Sequence, residues 1–323
     1  HRGSVQVSGH VIALSGGVGG AKLAHGLYLA LGAGELTVIA NTGDDFRHLG
    51  LHVSPDIDSI VYALAELSDP VRGWGRRDET WNFMEALCGL GGETWFALGD
   101  GDLAMHVERS RRLASGETLS GVTGAICGAL GIHASILPMS EDAVRTRLRT
   151  DEGWLEFQDY FVRRRCEPEV REYAFEGAMQ ARMQPQALAA LERADLRAVI
   201  VCPSNPFLSI DPILAVPGMR DAIVRCAAPV IAVTPLIGGR ALKGPAAKIM
   251  QELGFEVGAG AVARHYADLI DLFVYDESDA PPTRAADVPV AAAHTLMNCT
   301  ADRVNLARRL LALADERPTV HTP

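Results

Sequence analysis

The chain has 323 residues, 48% of them hydrophobic and 22% charged, with a formal net charge of -10. That charge excludes a general nucleic-acid binder, which presents a basic face, and no apolar run reaches the ~18 residues of a membrane helix. The six cysteines, Cys88, Cys127, Cys166, Cys202, Cys226 and Cys299, form no CxxC pair and no cluster with histidine; that excludes a zinc site or disulfide framework and fits a reducing cytoplasm.

The first ten residues read as a frayed start. Val11 to Leu14 is a short apolar run, expected as a buried parallel strand, and a helix is expected from about Gly20, with Leu23, Leu27 and Leu31 on one face. Leu36 to Ala40 reads as a second strand, so the start of the chain is a βαβ unit. Glu117 to Leu130 reads as helical and Ala134 to Leu137 as a strand. Further strands are expected at Ala198 to Cys202, Val230 to Thr234 and Leu272 to Tyr275. Alternating strands and helices predict an α/β fold with a doubly wound, mostly parallel, Rossmann-like sheet.

The middle differs. Thr150 to Met183 holds dense charge, including Arg163, Arg164 and Arg165, and WLEFQDYFV partly alternates apolar and polar residues. The expected organisation is an N-terminal half of the domain over 11–149, a small α+β insertion over 150–194, and a C-terminal half of the same domain over 195–315. Composition marks 278–289 as a surface loop and the last seven residues as a loose tail.

After the first strand comes SGGVGGAK, with Gly16, Gly17, Gly19 and Gly20 before Lys22. It fits neither common phosphate pattern: Lys22 is followed by Leu23, where a P-loop needs a hydroxyl, and the third glycine of a dinucleotide turn would fall at Lys22. The physics of a phosphate cradle still holds, because glycines let the backbone approach an anion and the helix start offers unpaired amides. The competing reading is a tight turn with a solvated lysine. The second strand ends in Asn41-Thr42-Gly43-Asp44-Asp45, and Ser54-Pro55-Asp56-Ile57-Asp58 follows. Four carboxylates beside a phosphate cradle need a bridge, and Mg²⁺ takes oxygen ligands and phosphates together; the competing reading is turn and capping chemistry. Asp56 and Asp58 share one side if extended, and suit a helix start if helical.

Pro203-Ser204-Asn205-Pro206 forms a stiff turn after a strand. A second glycine-rich basic stretch runs from Gly238 to Lys248. Pro245 there suits the first turn of a helix, and Lys248 near that helix start opposes the dipole, so a nearby anion is expected. Asp102, His106 and Arg109 can share a helix face. His48 and His52 are assigned no metal. Trp74, Trp81 and Trp95 with Phe83 and Phe96 could line a pocket for a flat ring, although core packing is the commoner reason for such a group.

In order along residues 11 to 300, SGGVGGAK, NTGDD, SPDIDSI, RGWGRRDETW, LGDGD with MHVERS, LPMSEDAV, FQDYFV, PSNPFLSIDPIL with PGMR, and GPAAKIM together resemble the 2-phospho-L-lactate transferase family of coenzyme F420 biosynthesis. RGWGRRDETW is similar to its bacterial branch. The resemblance implies an enzyme that joins a phospho-three-carbon acid to the ribityl hydroxyl of the deazaflavin Fo. The donor is guanosine diphosphate-activated, GMP is released and Mg²⁺ is the cofactor. The acid is phosphoenolpyruvate, 2-phospho-L-lactate or 3-phosphoglycerate, with phosphoenolpyruvate favoured. By position, Asp45 and Asp56 are implied as metal or hydroxyl-activating residues, and Asp58 as a deazaflavin contact. The glycine turn with Lys22, Ser204, Asn205 and Lys248 would hold the diphosphate and nucleotide. Ala97 and Asp100 fall at further contact positions, but many relatives read Gly-Asp-Arg-Asp where Gly99-Asp100-Gly101-Asp102 stands, and some carry a basic residue in place of Ala97. A homodimer is the default assembly. Two other readings remain: a nucleotide-sugar-binding regulator of the gluconeogenesis-factor type, and a nicotinamide-dependent oxidoreductase.

Overall fold

The computed structural model describes residues 9–241, 245–282 and 287–316; Lys243 and Gly244 of the second glycine-rich stretch lie outside them. Seven strands build the main sheet: β1 (His10–Ser15), β2 (Leu36–Ala40), β3 (Ser135–Pro138), β4 (Leu196–Val201), β5 (Val230–Val233), β6 (Leu272–Asp276) and β7 (Val290–Ala293). All pair in parallel, in the order β7-β6-β5-β4-β1-β2-β3. The doubly wound expectation is met. β1 lies where the strand order reverses, between β2 and β4, and a crevice opens there beyond the carboxyl ends of the strands.

Successive residues of one strand serve two cores. Val11 and Ala13 of β1 face helices α1 (Gly17–Ala30), α2 (Pro55–Leu64), α4 (Leu119–Ala129) and α5 (Thr300–Asp315). Ile12 and Leu14 face the opposite layer. Both faces are covered, so each strand reads as an unbroken apolar run and not as an alternation. A fifth long helix of the chain, α3 in order (Asp100–Ala114), flanks the crevice.

A three-stranded antiparallel sheet, Arg145–Thr150, Gly153–Glu156 and Val170–Glu176, packs Leu148, Leu155 and Val170 into the second core. Its first strand begins in the segment assigned to the N-terminal half and ends at Thr150, the first residue of the expected insertion. A two-stranded hairpin, Phe46–His48 with Leu51–Val53, follows the acids after β2.

α1 starts three residues before its expected position, because Gly17 makes the turn itself at a φ of +64°. Gly26, further along α1, permits close contact with α5: a Cβ there would lie 2.2 Å from the Arg303 carbonyl oxygen. Glycine to alanine inside a helix normally gains up to about 1 kcal/mol. Here a backbone atom stands in the way, so Gly26→Ala is expected to lose about 1–3 kcal/mol in denaturant unfolding.

Candidate functional site

Three turns meet at the carboxyl ends of β1, β2 and β4. The glycine turn opens α1. Asn41–Asp45 leaves β2, and the Pro203–Pro206 turn leaves β4. Gly16 N–H donates to Ser204 Oγ at 3.1 Å, and Gly17 N–H donates to Asp56 Oδ1 at 2.7 Å. The glycines around them fit against protein: a Cβ on Gly19 would meet the Pro203 carbonyl at 2.6 Å, and one on Gly20 the Ser15 and Ser204 hydroxyls at 2.4 Å. The turn is therefore in part an internal clasp. The next amides of the helix start, at Val18 and Gly19, are those that an α-helix leaves without an intrahelical partner.

Asn41 holds the acids together. Its Oδ1 accepts from Gly43 N–H at 2.8 Å, an Asx turn, while its Nδ2 donates to Asp44 Oδ1 at 2.8 Å and Asp56 Oδ2 at 2.9 Å. Ser54 precedes α2 as its cap residue, yet its hydroxyl turns to Asp45 Oδ2 at 2.8 Å. His52 Nε2 reaches the same oxygen at 3.0 Å. Asp45 Oδ1 is buried without a hydrogen-bond partner. Asp56 and Asp58 start a helix, Pro55 being its first residue, which settles the two geometries that the sequence left open.

Asp44, Asp45, Asp56 and Asp58 are all buried. Burial pushes the Asp56 carboxyl up to about 6, against the Asn41 and Gly17 hydrogen bonds, with Asp45 and Asp58 adding to the rise. Burial and the neighbouring Asp56 raise Asp44 well above the carboxylate range. Folding thus strengthens proton binding at Asp56, so its contribution to stability falls as pH rises from about 4 through about 6. Buried His10, His25 and His48, all lowered by burial, act in the opposite sense. The acid's share is read by difference in metal-free buffer: the melting temperature of Asp56→Asn minus that of wild type is expected to rise between pH 4.5 and pH 7.5. A flat difference contradicts the assignment.

Asp58 sits apart from this group. Arg109, 1% exposed, pairs with both of its carboxylate oxygens and also reaches His106 Nδ1 at 3.2 Å. His106 Nε2 lies 3.3 Å from Asp102 Oδ2, and the Tyr62 hydroxyl donates to Asp102 Oδ1. The shared helix face expected for Asp102, His106 and Arg109 is present on α3. Asp58, Asp102 and His106 bring ligand atoms within 4.8 Å of one another. The guanidinium already neutralises Asp58, so we read that trio as an ion-pair network. The Asp45–Asp56 side offers carboxylate oxygens with no paired arginine: His52 and Ser54 take one Asp45 oxygen and leave Oδ1 unpartnered, a donor set that suits a hard cation better.

The other expected site residues are spread around this centre. Asn205 caps the following turn, its Oδ1 accepting from Phe207 and Leu208 N–H. Asp100 Oδ2 accepts from the Thr80 hydroxyl at 2.6 Å and Oδ1 from Phe83 N–H at 3.0 Å, which holds its carboxyl down at about 2. Half-buried Ala97 follows Phe96 on a loop. Lys22 Nζ donates to the Met297 carbonyl at 2.9 Å, toward the start of α5. Lys248 Nζ donates to the Pro168 carbonyl at 2.9 Å and pairs with Glu252. The anion expected to offset its helix dipole is thus Glu252, one turn on, and Pro245 stands just before the helix and not in its first turn.

The aromatic group is corrected too. None of Trp74, Trp81, Trp95, Phe83 and Phe96 joins the buried core, and Trp74 is 50% exposed. They sit on loops and the short helix Asn82–Gly89, away from the two sheet faces. Phe46, His48, Trp95 and Phe96 form one cluster beside the Asp45 turn, with ring centroids 4.9–6.1 Å apart.

Asn41, His52 and Ser54 were missed as site residues. The Asn-Thr-Gly triplet signals an Asx turn and the Ser-Pro pair a helix start, but neither reveals which carboxylate the side chain will hold.

A doubly wound parallel sheet with a buried acid cluster and a helix start at its switch point defines an α/β protein of the Rossmann-like class with its candidate site at the carboxyl edge of the sheet. The family model for 2-phospho-L-lactate transferase CofD matches residues 11–312, and the chain belongs to that family. It is therefore placed among the transferases of coenzyme F420 biosynthesis. It is 40% identical over 316 residues to a phosphoenolpyruvate transferase of Kitasatospora aureofaciens, covering 95% of this chain and 98% of the relative. It is 40% identical over 269 residues to a 2-phospho-L-lactate transferase of Methanosarcina mazei, covering 83% and 88%. A solved Bacillus halodurans protein of the UPF0052 family shares the fold, with a TM-score of 0.61 at 15% identity over 94% of this chain and 99% of that one. Among the described residues no helix is long and apolar enough to cross a membrane.

Proposed function

We propose that the chain transfers a phospho-three-carbon acid from a guanosine diphosphate-activated donor to the terminal ribityl hydroxyl of the deazaflavin Fo, releasing GMP. The observation that carries this reading is the acid cluster at the switch point, with Asp45 Oδ1 buried and unpartnered a short step from the amides of the α1 start. Family membership supplies the reaction class.

The chemistry is displacement at the β-phosphorus. The ribityl oxygen forms the new P–O bond, the bond to the GMP oxygen breaks, and the hydroxyl proton passes to a carboxylate. Such transfer needs positioning and charge neutralisation more than covalent help. Asp45 and Asp56 would hold Mg²⁺, which supplies that neutralisation when bound. Asn41 and Ser54 fix the two carboxylates. Val18 and Gly19 N–H face the leaving phosphate, and Ser204 sets the turn beside them. Asp58, clamped by Arg109, meets the acceptor, and the Phe46–His48–Trp95–Phe96 faces suit its flat ring. The likeness to bacterial phosphoenolpyruvate transferases favours phosphoenolpyruvate as the transferred acid.

The test incubates the protein and Mg²⁺ with Fo and each guanylylated acid in turn, with GMP release followed by chromatography. One-to-one GMP and phosphodiester product is expected, fastest with the phosphoenolpyruvate donor. Binding of UDP-sugars with no binding of Fo would overturn the reading.

A further inference from the structure

In a P-loop, the residue after the lysine gives Mg²⁺ a hydroxyl. Here that residue is Leu23, wholly buried in the core, so α1 offers a cation no hydroxyl at this position. Four hydroxyls near the glycine turn and the acid loop are engaged or enclosed. Ser204 Oγ accepts from Gly16 N–H at 3.1 Å, and Ser54 Oγ donates to Asp45 Oδ2 at 2.8 Å. Ser15 Oγ and Thr42 Oγ1 are buried in protein. Ser209 differs: the residue keeps 7% exposure, and among the described residues its hydroxyl makes no hydrogen bond.

Ser209 stands on the turn after β4. Pro206–Ile210 makes one π turn, in which Ser209 and Ile210 N–H both donate to the Asn205 carbonyl, at 3.0 and 3.2 Å. Single π turns concentrate at functional sites. Asn41 Nδ2, which holds Asp44 and Asp56, also reaches the Leu208 carbonyl at 3.4 Å. The backbone just before Ser209 is thereby tied to the acid cluster. Gly16 shows how close the two come. A Cβ there would lie 2.6 Å from Ser209 Cβ, 2.7 Å from Asp56 Oδ2 and 3.1 Å from Ser209 Oγ. A carboxylate oxygen and a hydroxyl oxygen from different elements therefore border one point, and the absent side chain of Gly16 leaves it open. An ion that reaches the Asp56 carboxylate has the Ser209 oxygen beside it. A neutral oxygen suits this place, because Asp45 and Asp56 already bring two charges and Mg²⁺ takes hard oxygen ligands.

We propose that the Ser209 hydroxyl oxygen is a further ligand of the divalent cation held by Asp45 and Asp56, in the part that a P-loop gives to the residue after its lysine. This role rests on Asp45 and Asp56 being the cation's carboxylates, the reading proposed above.

Calorimetry on the whole chain tests it, with Mn²⁺ as the probe and a melting curve of each variant beside it. Wild type is expected to bind Mn²⁺, with Mg²⁺ competing. Ser209→Ala is expected to bind Mn²⁺ about tenfold more weakly. Ser209→Cys keeps nearly the same side-chain size but replaces the hydroxyl by a thiol. Its ratio of Zn²⁺ to Mn²⁺ affinity is expected to rise at least about tenfold above that of wild type. A merely structural serine would not move that ratio, and Ser209→Cys answers the question where Ser209→Ala fails to fold. Asp56→Asn is expected to weaken Mn²⁺ in the same titration. Weakening by Asp56→Asn, together with wild-type Mn²⁺ affinity in Ser209→Ala or an unchanged metal ratio in Ser209→Cys, would overturn the Ser209 ligand and leave the acid site standing. No binding of Mn²⁺ to wild type, or unchanged binding to Asp56→Asn, would overturn the acid site and Ser209 with it.

Discussion

Asp56→Asn is expected to lower transfer by at least about a hundredfold while the protein stays folded. Asp56 receives Gly17 N–H on one oxygen and Asn41 Nδ2 on the other. It thereby joins the helix start, where a leaving phosphate would rest, to the acids that would hold the cation. An amide keeps the bond from Gly17 but supplies no charge, and its nitrogen faces the Asn41 donor. The loss belongs in turnover and in the Mg²⁺ dependence, not in Fo binding. Steady-state kinetics over a Mg²⁺ series, beside a melting curve, separates the two. Wild-type GMP release would remove Asp56 from the site.

The largest stability effect is expected at Arg109. Its guanidinium is fully enclosed and is the charged partner of buried Asp58. Arg109→Met retains much of the volume and leaves the carboxylate without its counter-charge. Removing one member of a buried pair costs about 3–5 kcal/mol. The cost falls partly as a proton taken up by Asp58, whose carboxyl burial already raises in the presence of Arg109. The melting temperature of Arg109→Met should therefore recover as pH falls toward 5. A double variant, Asp58→Asn with Arg109→Met, is expected to be more stable than Arg109→Met alone. A single variant within about 1 kcal/mol of wild type would show that the pair is not a keystone of the fold.

Much of this site is legible in the sequence. Glycines after a strand, acids after the next strand and a stiff turn after a third each place their residues at one sheet edge once the fold is doubly wound, and Ser204, Asp45 and Asp56 lie there. What stayed hidden were choices that only three dimensions make. Gly16 and Gly20 admit protein atoms as their near neighbours, which composition cannot tell from room for a phosphate. Lys22, in the second turn of its helix, and Lys248, in the first turn of its own, are long side chains whose ends travel to the carbonyls of Met297 and Pro168. Asn41 and Arg109 act through partners 15 and 51 residues away in sequence, so no local pattern announces them. The last strand, β7, and α5 carry ordinary apolar spacing, and tertiary packing gives them their place.

The central claim is that the acid cluster and the α1 start carry phosphoryl transfer onto Fo. Mass spectrometry of the product from wild-type protein, Mg²⁺, Fo and the guanylylated phosphoenolpyruvate donor tests it most directly. The expected product has the mass of Fo plus one phosphoenolpyruvyl group in a phosphodiester, with one GMP released per product molecule, and neither forms with Asp56→Asn. Unmodified Fo in a mixture where the protein is folded and the donor intact would contradict the account.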